Sequence, residues 1–316
     1  MDRESMDGRG VRNLGRPIMT TIAAFGILMA IGAFALFWHH RLSTPKYHYE
    51  LSKELQLTFT NADFVIQQIR EGLQEHAQHI RIDFTADNDH MGDVSALVHE
   101  LMECALAETD DPSQGDYLRY QYGGYELEYG FEEQRGVYQY HVAITPNYYT
   151  TREQEEIVDR MVREIMDGMH FHWYTSDAER VRKIYEYVYD TVEYDMVHRN
   201  NRKYHLKTTA YAALVNRRAV CQGYAVLTYR LLREAGINAR VITGTLKDGR
   251  GTEYHAWNLV ELEGAWYHLD VTWDKMLECE DYYLKTDRSM EDHVRDGAFA
   301  TEDFYVRYPV ADHDYE

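Results

Sequence analysis

The sequence predicts an α+β protein attached to a membrane by one N-terminal helix. Three observations carry that expectation. Ile18 to Trp38 is an apolar run of 21 residues without a charge. Segments with strand and helix periodicity alternate between residues 51 and 150. Further on, a helix starting at Cys221 is followed by strands that carry His255 and Asp270.

The first run, "IMTTIAAFGILMAIGAFALFW", is long enough to cross a hydrocarbon core of about 30 Å as a helix. Thr20, Thr21 and its glycines are tolerated in such a span. Trp38, followed by His39, His40 and Arg41, makes an edge suited to the membrane interface. Arg3, Arg9, Arg12 and Arg16 precede the run, whereas Arg41, Lys46 and Lys53 follow it. That small excess favours a cytoplasmic N-terminus. Residues 1–17 then form a cytoplasmic tail, 18–38 the transmembrane helix, and 39–50 a polar linker containing Pro45. Ala33-Phe34-Ala35 fits a cleavage pattern, so a removed signal peptide is the rival reading. The length of the apolar run favours an uncleaved anchor.

Residues 51–150 read as a small α+β domain. "LQLTFT" (55–60) alternates like a strand, and Asn61 or Asp63 caps a helix running to about Gln78. "HIRIDFTA" (79–86) is a second strand and 93–107 a second helix. Residues 125–145 form a hairpin turning at Gln134-Arg135-Gly136.

Residues 151–316 form the larger domain. Thr151 with Gln154, and Ser176 with Glu179, make capping boxes for two helices with apolar stripes. The helix after Cys221 has Leu227, Leu231 and Leu232 on its apolar face and stops at Gly236. Gly223 and Ala225 allow that helix to pack close to a sheet. "ARVITGTL" (239–246), "EYHAWNLVEL" and "AWYHLDVTW" are strands, the last two joined at Glu263-Gly264. If Leu262 pairs with Ala265, His255 faces Thr272 and Trp257 faces Asp270. His255 and Asp270 then share one face as diagonal neighbours, close enough for their side chains to touch.

Composition narrows the function. A net charge of −20 argues against a nucleic-acid partner, which needs a basic face to displace phosphate counterions. Cys104, Cys221 and Cys279 are too few for a disulfide framework, and no C-x-x-C pair offers a structural zinc site. "DNDHMG" (87–92) lacks the oxygen ligands of a calcium loop, and His170-Phe171-His172 has no third metal ligand nearby. No metal, nucleotide or other cofactor is expected. The nine tyrosines between Tyr117 and Tyr149 suit half-buried strands better than a sugar or peptide platform.

An imidazole held by a carboxylate is half of a nucleophile-activating triad. The other half is a nucleophile at a helix start, where backbone N–H groups, the helix dipole and a nearby imidazolium stabilise a thiolate. Taken singly, Cys221 is a small buried apolar residue, His255 one of 16 histidines, and Asp270 a turn cap. Taken jointly, a Cys-bearing helix, then a His strand, then an Asp strand favours catalysis.

"AVCQGYAVLTYRLLREAGINARVITG" and "HAWNLVELEGAWYHLDVTWD" resemble the transglutaminase-like superfamily, in its bacterial membrane-associated form. The resemblance covers residues 208–275 and extends through "VRKIYEYVYDTVEYD" to about 176. It implies a papain-like core, with the Cys helix packed on an antiparallel sheet, and a triad of Cys221, His255 and Asp270. The Cys221 backbone N–H is one oxyanion donor. Relatives add an upstream side chain, for which Tyr194 and Tyr211 are the candidates, with packing as the alternative role of each.

The resemblance implies acyl transfer through a Cys221 thioester, on a protein or peptide substrate or another cell-envelope component. Peptidase or amidase activity is the first expectation and protein-glutamine transamidation the alternative. A non-catalytic envelope scaffold is the reading from another class. With the anchor, the expected location is the cell membrane, the catalytic domain extracytoplasmic.

Overall fold

In a computed structural model the described residues are 62–86, 94–247 and 252–316. The expected membrane span 18–38, the linker, the strand at 55–60 and the "DNDHMG" stretch fall wholly or mainly outside them. Among the described residues no helix is long and apolar enough to cross a membrane.

The N-terminal part opens with helix α1, Ala62–Gln74, whose Val65, Ile66, Ile69 and Leu73 point inward at helical spacing. Strand β1, Ile80–Ala86, and helix α2, Val94–Ala105, follow. After a single helical turn, α3 (Asp116–Arg119), the chain makes the long hairpin β2 (Tyr122–Gln134) and β3 (Val137–Tyr148). Arg135 and Gly136 both have positive φ, the geometry of the tight hairpin turn expected there. The sheet runs β1-β3-β2, fully antiparallel, and α1 and α2 supply the apolar side chains of its core.

Helix α4, Arg152–Met169, carries the expected capping box of Thr151 and Gln154. In α5, Asp177–Thr191, Ser176 accepts from the Glu179 backbone, but no reciprocal Glu179 bond completes the box. Two short elements were not anticipated: β4 (Glu193–Tyr194) pairs in parallel with β5 (Arg218–Ala219). Between them lie a 3₁₀ turn at His205–Thr208 and helix α6, Ala210–Leu214.

Helix α7, Cys221–Glu234, is buried over most of its length. It lies against the antiparallel sheet β8-β7-β6-β9, formed by β6 (Ala239–Lys247), β7 (Thr252–Leu262), β8 (Ala265–Leu269) and β9 (His293–Arg295). Asn258 Nδ2 on β7 donates to the Ala225 carbonyl at 3.0 Å and to the Arg240 carbonyl at 3.2 Å, fastening helix to sheet. Gly223 has another task than the one expected. A Cβ there would lie 2.6 Å from Ala219 Cβ and 3.0 Å from the Lys207 carbonyl, so Gly223 admits the 207–219 segment, not the sheet.

Leu262 pairs with Ala265, and the register continues to Asn258 opposite Leu269. There the second strand ends, earlier than expected. Asp270 leaves the ladder and caps helix α8, Val271–Leu277, accepting from Trp273 N at 3.0 Å. A carboxylate able to satisfy an orphan helix N–H competes well with one further sheet pair. The chain then passes through β9 to α9, Glu302–Arg307.

The two cores meet at buried ion pairs. Arg240 on β6 binds Asp116 at 2.7 Å and lies 3.4 Å from Glu108. Tyr229 on α7 donates to Glu108 at 2.6 Å. Tyr117, from the N-terminal part, is built into the core around α7.

Candidate active site

Cys221 is the first residue of α7, and Val220 before it provides no side-chain cap. The Gly223 N–H turns back to the Val220 carbonyl at 2.9 Å, and the N–H groups of Cys221 and Gln222 have no side-chain acceptor from the cap position. Cys221 is 8% exposed, shielded but not sealed. β7 brings His255 to the same place, with the thiol within hydrogen-bonding reach of its ring.

Asp270 stands on the far side of that ring. Its Oδ2 lies 2.5 Å from His255 Nε2. Thiol, imidazole and carboxylate thus come together from α7, β7 and the β8–α8 junction, with the His255 ring in contact with both the others. The diagonal strand contact expected from sequence is thus replaced by a helix cap, yet the pair still forms. Burial by itself would push His255 down, but the Asp270 charge and hydrogen bond, with Cys221, hold it up at about 10. Burial pushes Asp270 up, and the two histidines beside it outweigh this, keeping it well below the usual carboxylate range.

Sequence reasoning missed the second of those histidines. His293 on β9 places Nε2 3.0 Å from the same Asp270 Oδ2, and its Nδ1 lies 2.8 Å from Asp292. Both rings sit against Trp257, whose indole N–H donates to His268 at 2.8 Å. Burial lowers His268 to about 4, as befits a ring that accepts this bond at Nδ1. One ligand atom each from His255, Asp270 and His293 lies within 4.8 Å of the others, so the three could also converge on a metal. Their separations are those of proton-bridged hydrogen bonds, and a metal would have to displace those protons.

Of the two upstream tyrosines, Tyr194 is the one brought to the site. β4 sets it opposite Ala219, two residues before Cys221, and burial with the nearby thiol pushes its phenol above the usual range. Tyr211 sits on α6 and packs at the edge of the core. Lys207, also unforeseen, donates to the carbonyls of His198, Arg199 and Asn201 and ties down the loop after Tyr194. His170 and His172 stay apart from this site: His170 is the left-handed cap of α4, and His172 stacks on Tyr174.

This cysteine-helix and histidine-strand geometry falls inside the stretch that a family model matches. Residues 168–271 match the transglutaminase-like superfamily. The chain thus carries a transglutaminase-like domain, which spans α5, α7 and strands β6 to β8. Kyphoscoliosis peptidase from Homo sapiens is 31% identical over 125 residues, 37% of this chain and 18% of its own length. The Mus musculus protein of that name is 32% identical over 126 residues, again 37% and 18%. This chain therefore spans 18% of the length of the curated relatives it matches. A solved structure of a TGase aligns with TM-score 0.33 and 20% identity, covering 46% of this chain and 44% of that one.

Proposed function

We propose that the transglutaminase-like domain is a thiol acyl-transfer enzyme that cleaves peptide or amide bonds, with Cys221 as nucleophile, His255 as proton carrier and Asp270 as its partner. The observation that carries this reading is the line Cys221–His255–Asp270, with the thiol at a helix start and the His–Asp contact at 2.5 Å. The name of the curated relatives, a peptidase, supports hydrolysis as the outcome.

In acylation the Cys221 S–H proton passes to His255, the sulfur attacks the carbonyl carbon and the C=O electron pair moves to oxygen. The Cys221 N–H and the Tyr194 hydroxyl are the donors assigned to that oxyanion. Collapse breaks the C–N bond, the leaving nitrogen takes the proton from His255, and a thioester remains. Neutral His255 then removes a proton from water as the oxygen attacks. The C–S bond breaks, and the sulfur departs as thiolate beside the reprotonated ring. An amine entering in place of water gives transamidation by the same steps. In this reading residues 18–38 anchor the chain in the cell membrane with the domain on the extracytoplasmic side, supported by the uncharged run and its flanks.

The test compares the full chain with Cys221→Ala. Release of ammonia from a glutamine-containing protein is followed with and without a primary amine, alongside a peptide-cleavage screen. Cys221-dependent cleavage bears out the peptidase. Amine incorporation redirects the proposal to a transamidase. Activity unchanged in Cys221→Ala rejects Cys221 as the nucleophile, and activity absent from both proteins rejects the proposal in favour of a scaffold.

A further inference from the structure

The Asp270 carboxylate has more partners than a triad needs. Its Oδ1 accepts from Trp273 N on α8, and its Oδ2 meets His255 on β7 and His293 on β9. The two imidazole rings cross at 69° over one oxygen atom. Three donors from three elements leave the carboxylate no freedom to rotate.

His293 is itself held. Asp292 takes its Nδ1, and the other Asp292 oxygen accepts from the Tyr282 hydroxyl at 2.7 Å. Trp257 meets the ring edge-on with centroids 5.0 Å apart. The His293 side chain has no exposed surface. Its approach depends on Gly244 of β6, where a Cβ would collide with the Val294 carbonyl oxygen and lie 2.9 Å from Arg295 Cα. Packing alone does not call for histidine here. An apolar side chain would fill the space without the cost of desolvating an imidazole between two carboxylates.

We infer that His293 is a positioning residue, which fixes the Asp270 carboxylate toward His255 and through it sets the reactivity of Cys221. The inference rests on the thiol-enzyme reading above. It extends the line at the site to Cys221–His255–Asp270–His293–Asp292, in the way that outer partners fix the geometry of an inner group.

The experiment measures iodoacetamide alkylation of Cys221 in the full chain at neutral pH, with Cys104 and Cys279 as internal references. His293→Leu removes the donor, and His293→Gln restores one N–H toward Asp270. Thermal unfolding checks that each variant is folded. The expected result is a loss of about tenfold in the Cys221 rate for His293→Leu, with most of it recovered in His293→Gln. Asp292→Asn, which loosens His293 without removing it, gives an intermediate loss and serves if His293→Leu does not fold. Wild-type reactivity in folded His293→Leu, equal losses in the Leu and Gln variants, or no change in Asp292→Asn overturns the inference. A wild-type Cys221 no more reactive than Cys104 and Cys279 rejects the thiol-enzyme reading itself, and the inference with it.

Discussion

Asp270 meets His255 at 2.5 Å with one carboxylate oxygen while the other caps the helix that begins at Val271. One side chain therefore ends a strand, starts a helix and orients the imidazole. The two roles separate by substitution. Asp270→Asn keeps an oxygen for Trp273 N but turns an amide N–H toward His255, which forces the wrong tautomer. Cys221-dependent cleavage is expected to fall about 10⁴-fold, while the cap survives. Asp270→Ala removes the cap as well and costs about 1 kcal/mol more in urea unfolding. Equal stabilities for the two variants would contradict the double role.

The His255–Asp270 pair also sets a pH window. His255 rises from an ordinary value of 6.5 to about 10, because the Asp270 charge outweighs burial. The stability gained by the protonated ring is fully present below about 6.5 and is lost as pH climbs through about 10. Asp270 is depressed, so its contribution is present above the ordinary carboxylate range and is lost only in strong acid. The ion pair therefore spans neutral pH. Since a neutral ring cannot protonate the leaving nitrogen, kcat/KM should fall on the alkaline side near pH 10. A pH–rate profile whose alkaline limb lies near 7 would contradict that assignment.

Tyr194 is expected to matter for one step only. An oxyanion donor acts when charge develops on the carbonyl oxygen, and its loss costs about 10²- to 10³-fold in kcat. Alkylation of Cys221 by iodoacetamide develops no oxyanion. Tyr194→Phe should therefore depress amide cleavage by that amount and leave the alkylation rate near wild type. A parallel loss in both assays would make Tyr194 a packing residue.

How much of this was legible in the sequence depended on range. The capping box at Thr151, the turn at Arg135-Gly136 and the Leu262–Ala265 pairing are written within a few residues, and each formed as read. Asp270 was placed beside His255 for a reason only half right, because cap chemistry prevailed over strand periodicity after Leu269. His293 left no local signal. It lies 23 residues beyond Asp270, on a three-residue strand added to the sheet edge beside Gly244. The one hint was an unassigned Asp-His pair at 292–293. Asp116 and Arg240 are 124 residues apart and meet only once the two cores are assembled.

That last junction yields a stability prediction independent of catalysis. Burial, then the neighbouring Asp116, raises Glu108 from 4.5 to about 7, since Arg240 cannot fully neutralise two buried carboxylates. The neutral Glu108 carboxyl therefore favours the folded state below about 4.5, and this advantage is lost as pH rises through about 7. Glu108→Gln keeps an acceptor at that position and cannot ionise. Between pH 5 and pH 8 the urea-unfolding free energy of the wild type should decline relative to the variant, by on the order of 2 kcal/mol. The carboxylate oxygens of Glu108 accept from Tyr229 and from Asp116 N, so the variant will start with a small deficit at pH 5. What decides the matter is the slope of the difference with pH. A constant difference would mean that Glu108 stays ionised across this range and that Arg240 serves both acids.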